Sequence, residues 1–118
     1  MAEEWHKTIL DNKHDEINDF LKRKKSTGKS QRTVNEYSRL LKKFYHEHFP
    51  DIEPNETQVY HVEEFVSRLD DRDLSQNTKR RYVESLSAFF QWAMKRPRFE
   101  EITGNPAAVV LEELPRKR

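Results

Sequence analysis

The sequence predicts an all-α domain, a compact bundle of four main helices followed by a short C-terminal one. Three observations predict it. Apolar side chains recur at helical spacing along the whole chain and alternate nowhere as a half-buried strand would. Only two glycines, Gly28 and Gly104, and five prolines interrupt 118 residues, and each falls where one helical stripe stops or the next begins. The hydrophobic share is a lean 34%, but it includes seven Phe, four Tyr and two Trp, enough large side chains to fill one core and more than disordered chains carry. A length of 118 residues fits one domain.

Taken in order, Ile9 and Leu10 followed by Ile17, Phe20 and Leu21 give a first helix over about Asn12 to Lys25. It ends before Ser26-Thr27-Gly28-Lys29, where Gly28 suits a C-cap. Ser30 opens the second helix, with Val34, Tyr37, Leu41, Phe44 and His48 on one stripe until Phe49-Pro50 stops it. A loop holding Pro50 and Pro54 leads to a third, whose stripe is Val59, Val62, Phe65, Val66 and Leu69, with Asn55 and Gln58 placed as a capping box. Asp70 to Asp73 is its closing turn. The fourth helix carries Tyr82, Val83, Leu86, Phe89, Phe90 and Ala93 and runs to about Arg96, ahead of Pro97. Asn105 as N-cap and Pro106 at the first helical position open the short last helix.

The second and fourth helices echo each other. Ser30, Gln31, Thr33, Tyr37, Leu41 and Phe44 recur 45 residues on as Ser75, Gln76, Thr78, Tyr82, Leu86 and Phe89. Each copy opens on a Ser able to cap the helix and then lays Tyr, Leu and Phe along one face. At about 100° per residue, with Tyr37 inward, Gln31, Arg32, Asn35, Arg39 and Lys42 point out. With Leu86 inward, Asn77, Arg80, Arg81 and Glu84 point out. Arg pairs bidentately with guanine and Asn or Gln with adenine in the major groove, which admits a helix. Gln31, Arg32, Asn35, Arg39, Asn77, Arg80 and Arg81 are therefore candidates for base contacts. Lys22, Arg23, Lys24, Lys25 and Lys29 form a basic run into the second helix. Lys24, Lys25, Lys29, Ser30, Thr33, Lys42, Ser75, Thr78 and Lys79 are candidates for phosphate contacts, which set register without reading sequence.

Charge supports a polyanion partner although the net is only +1. Residues 21–46 hold nine basic and one acidic side chain and 74–98 hold six and one, whereas 47–73 hold two basic and nine acidic. Folding the two basic blocks together would make one positive face. The absence of Cys excludes disulfides, thiolate nucleophiles and Cys-type zinc sites, and two distant glycines exclude a Gly-rich phosphate loop. No apolar run reaches the roughly 18 residues that span a bilayer, and Glu3, Glu4 and Trp5 do not suit a signal peptide. The expectation is a cytoplasmic, nucleoid-associated protein.

In the order and spacing of these elements the chain resembles the N-terminal core-binding (SAM-like) domain of tyrosine recombinases and phage integrases, over about Asp11 to Leu111. The carriers are Ile17-x-x-Phe20-Leu21, then Ser30-x-x-Thr33-Val34-x-x-Tyr37-x-x-x-Leu41-x-x-Phe44. After them come Leu74-Ser75-x-x-Thr78-x-x-x-Tyr82-x-x-x-Leu86-x-x-Phe89-Phe90-x-Trp92-Ala93 and the closing Asn105-Pro106-Ala107. The resemblance implies an all-helical bundle whose second and fourth helices meet the major groove of a recombination site, while a separate C-terminal domain closes round the other face. It implies contacts from the outward residues of 30–39 and 75–84, the surfaces that the helical wheel also selects.

The chemistry of that family uses a Tyr nucleophile, with Arg, Lys and His groups stabilising the phosphate, in a further domain. No His-x-x-Arg pair occurs here, and Tyr37, Tyr45, Tyr60 and Tyr82 read as core or rim aromatics. His46, Glu47 and His48 diverge on a helix and lack a third metal ligand. The expectation is therefore a DNA-binding module acting in DNA integration and site-specific recombination without a catalytic half, not an enzyme by itself. It would need no cofactor or metal. Its partners would be double-stranded DNA and the catalytic domain of the same polypeptide, with no membrane and no small-molecule substrate, and the isolated domain would be monomeric. Residues 1–11 read as an N-terminal extension, 12–113 as the domain and 114–118 as the start of a basic linker. Two other readings remain open on the residues alone: a helical protein adaptor and a free-standing sequence-specific regulator.

Overall fold

The computed structural model describes residues 11–72 and 74–115, all helix, turn and loop with no strand among them. Five α-helices follow in order: α1 Asp15–Ser26, α2 Gln31–Lys42, α3 Val59–Asp71, α4 Gln76–Ala93 and α5 Pro106–Leu111. The predicted fold class holds. The predicted extension and linker lie mostly outside the described residues.

Helix α4 is the longest, and it packs against each of the other four. That explains its composition. A helix covered on several sides requires more than one apolar stripe, and Val83, Leu86, Phe89, Phe90, Trp92 and Ala93 are all buried. Phe20 on α1 is the hub on one side, its ring 5.3 Å from Tyr37, 5.6 Å from Phe89 and 5.7 Å from Trp92. On the other side Phe44 meets Phe65 edge-on at 5.1 Å, joining α3 to the end of α2. Edge-to-face rings in this range add to the burial of their area.

Local chemistry sets the boundaries. Gly28 adopts φ +93°, a conformation that costs a Cβ-bearing residue. The turn it makes returns the Lys29 N–H to the Lys24 carbonyl (3.1 Å) and closes α1. Asn105 accepts from Ala108 N–H at 3.0 Å and donates to the Ser87 carbonyl and hydroxyl at 3.1 Å, which caps α5 and ties it to α4 at once.

Three expectations need correction. The second helix does not continue as one α-helix to His48: residues Lys43–His48 form a π-turn, closed by Phe49 N–H on the Phe44 carbonyl at 2.9 Å. The wider turn buries both Phe44 and Tyr45, and the Tyr45 hydroxyl bonds Thr57 at 2.7 Å. Asn55 and Gln58 do not cap each other. Instead Glu56 accepts from Glu53 N–H (2.7 Å) and His61 Nδ1 accepts from Gln58 N–H (2.9 Å). The α-helical part of α4 stops at Ala93, not Arg96, because Arg96 precedes Pro97 and is driven to an extended conformation, φ −107° and ψ 116°.

Candidate nucleic-acid interface

The two echoed helix starts are built identically. Ser30 Oγ accepts from Thr33 N–H at 3.1 Å and bonds the Thr33 hydroxyl at 3.0 Å, and Ser75 does the same to Thr78 at 3.1 and 2.9 Å. The repeated Ser-x-x-Thr is thus a Ser N-cap whose hydroxyl also donates to the Thr Oγ1, which satisfies one first-turn amide in each helix. These four hydroxyls, expected on phosphates, are engaged within their own caps.

Helices α2 and α4 pack against each other. Glu36 pairs with Arg81 (2.6 Å), Arg39 lies over the Tyr82 ring (5.9 Å), and Arg32 and Thr33 line a cleft with Ser85. These contacts join residues 32–39 of α2 to residues 81–85 of α4. On the outer side Gln31, Arg32, Asn35 and Asn77 are exposed. Among the described residues their side chains make no hydrogen bond or ion pair. Arg39 and Arg81 are exposed too, one laid on an aromatic ring and the other held by a carboxylate.

Other expected contacts are placed differently. Arg80 does not face outward. Its guanidinium bonds Glu84 at 3.2 Å and reaches the carbonyls of Leu111 and Leu114 at 3.4 and 3.2 Å, so it closes the C-terminal end of α5. The wheel pointed Arg80 outward, and that side of α4 is where the end of α5 packs. Lys79 is 4% exposed and paired with Asp70. Spacing explains this: Lys79, Val83, Leu86 and Phe90 fall at i, i+4, i+7 and i+11, on the buried stripe. Lys42 is bound to Asp11 at 2.7 Å. Of the basic run, Lys22, Arg23 and Lys29 are exposed, and Lys24 and Lys25 are half-buried.

Sequence reasoning missed three residues of this region. Gln76 is exposed next to Asn77, and its match to Gln31 in the echo was the available signal. Glu36 is a lone acid within a basic block. Arg96 lies 4.8 Å over the Trp92 ring, a neighbour four positions back that helical spacing would have paired with it.

Away from this face, α3 exposes Glu63, Glu64, Asp70 and Asp71. Arg68 on α3 is held by Glu64 at 3.1 Å, by the His48 carbonyl at 3.2 Å and over Phe49 at 4.8 Å. Burial lowers the pKa of His48, with Arg68 and Lys43 adding to the effect. His46 is also shifted down, by burial and then by Lys13 and Lys42. Tyr60, expected at the core or its rim, is 64% exposed. No group of three or more His, Asp or Glu among the described residues is placed to share a metal ion. No helix among them is long and apolar enough to cross a membrane.

A small all-helical domain built round one central helix, with a polar, cation-bearing helix pair on one side, is the class of protein that the fold and this face define. The chain belongs to the phage integrase N-terminal SAM-like domain family, whose family model matches residues 16–99. That membership gives it a role related to tyrosine recombinases. No curated protein and no solved structure matches it.

Proposed function

We propose that this domain binds duplex DNA and recognises the core site of a tyrosine recombinase or phage integrase, with the outer side of α2 and the first turns of α4 against the major groove. The observation that carries the reading is that Gln31, Arg32, Asn35 and Asn77 are exposed and unengaged among the described residues, on helices whose caps and apolar stripes are otherwise complete. These are the residue types that read base edges. Arg39 and Arg81 join them. Lys24, Lys25 and Lys29 serve the phosphates, while Arg80, Lys79 and Lys42 have structural partners and are left out of the contact set.

Strand exchange in this reading belongs to a catalytic domain of the same polypeptide. The domain alone supplies site recognition, as a monomer acting on DNA in the cytoplasm, and forms no covalent adduct with it. Its affinity on its own is modest because a single domain grips one face of the duplex. Fluorescence anisotropy with a 20-base-pair duplex between 50 and 200 mM salt tests the reading. About four to six neutralised phosphates give a log–log slope of roughly −4 to −5. A flat response, or no binding at 50 mM salt, refutes it.

A further inference from the structure

We propose that Lys24, Lys29 and Arg96 form a single phosphate-binding site on a Phe20–Trp92 aromatic platform, and that it takes the DNA backbone beside the start of α2. The inference rests on the DNA-binding reading for the source of the phosphate, but not for the site itself.

Three separate segments converge here. Lys24 Nζ stands 5.6 Å from the centre of the Phe20 ring and the Arg96 guanidinium 4.8 Å from the centre of the Trp92 ring. The two rings are themselves in edge contact at 5.7 Å. The Gly28 turn bonds Lys29 back onto the Lys24 carbonyl, so the third cation comes from the loop that enters α2. A cation on a ring face is shielded from water on that side and keeps its donors on the other.

Cations gathered without a carboxylate repel one another, and an anion is what removes that cost. Burial lowers the Lys24 pKa first, and Lys29 and Arg96, both positive, lower it further. Asp19, one turn back on α1, is occupied by Arg98 at 3.2 Å. The positive end of α2 begins two residues after Lys29 and adds its dipole to the same point. Arg96 is the new member. It reaches this point because Pro97 ends the helical run and turns the chain.

The test compares Arg96→Gln and Lys24→Gln with Lys95→Gln, an equal loss of charge one residue away on an exposed position. Duplex binding is followed across 50 to 200 mM salt, with circular dichroism to confirm folding and the exposed Lys29→Gln as the variant least able to disturb it. Arg96→Gln, Lys24→Gln and Lys29→Gln should each weaken every duplex alike and reduce the salt slope by about one, while Lys95→Gln should change the slope by clearly less. Equal effects at 95 and 96 overturn the proposal.

A second arm separates this site from the DNA reading. In a Trp5→Phe background, pyrophosphate should change Trp92 fluorescence saturably, and Arg96→Gln should abolish the change. If the wild-type chain fails to bind duplex but shows this response, the DNA reading falls and the site stands as one for free phosphate. If neither appears, both fall.

Discussion

Replacing Arg80 by Met separates a structural arginine from a base-reading one. The Met side chain keeps most of the aliphatic stem and removes the guanidinium, so the change isolates the polar contacts. What is lost is donation to the Leu111 and Leu114 carbonyls at 3.4 and 3.2 Å and the ion pair with Glu84. A hydrogen bond from a charged donor contributes about 1.5–3 kcal/mol at good geometry. Here one nitrogen serves both carbonyls at long range, so the low end applies to the set. A cation at a helix C-terminus adds about 0.3–1 kcal/mol, and an exposed i,i+4 pair about 0.3–0.5 kcal/mol. The sum is roughly 2 kcal/mol, which for a domain of this size lowers Tm by roughly 6–10 °C. Thermal denaturation followed by circular dichroism measures it. Anisotropy well below the transition should find the salt slope and base preference of the wild type. A variant that melts like the wild type but loses discrimination at one base pair would refute the argument and return Arg80 to the interface.

Glu36 places a negative charge in the proposed interface and holds Arg81. Glu36→Gln should tighten duplex binding several-fold and steepen the salt slope by about one as Arg81 is released, read by the same anisotropy series; weaker binding would mean that Glu36 orients Arg81 productively. Lys79→Met should leave stability within about 1 kcal/mol, because the Met fills the same space and Asp70 is open to solvent. Asp70→Ala should cost more, about 1–2 kcal/mol, since it leaves a buried ammonium unpaired; chemical denaturation compares the two. Burial lowers the pKa of His46, His48 and His61, so the unfolded chain binds protons more readily. Stability is then fully present above the ordinary histidine value of about 6.5 and is lost as pH falls through the lowered folded values. Urea melts at pH 7.5 and 5.0 should show the loss, and His61→Gln should reduce it, because His61 Nδ1 must stay unprotonated to accept from Gln58 N–H.

Most of the fold was legible because capping and periodicity are local. The Ser-x-x-Thr starts, the Gly28 turn, the Asn105-Pro106 cap and the stripes of α1, α3 and α4 all depend on residues within a few positions of one another. What escaped depends on partners far away in sequence. The π-turn after Lys42 answers to the packing of Tyr45 against Thr57, a contact that no local pattern announces. Arg80 looked outward because a single-helix wheel has no knowledge of α5. Lys79 is different: its stripe position was readable, and positive charge was allowed to outweigh it. Charge type predicted a partner but not which one, and Asp70, Asp11 and Glu36 claim cations that a sequence scan assigns to DNA.

The contacts between α2 and α4 limit what the echo means. Two helix starts with the same residues suggest one doubled reading head, but it is Glu36 and Arg39, beyond the first turn of α2, that meet Arg81 and Tyr82 near the start of α4. In the proposed complex Gln31, Arg32, Asn35 and Arg39 along α2 face the groove. The cluster of Lys24, Lys29 and Arg96 holds the backbone beside the start of α2, and the start of α4 adds Asn77. The two ends are alike in their caps and unlike in charge, because Lys79 and Arg80, the cations that would have made the second end match the first, are built into the bundle.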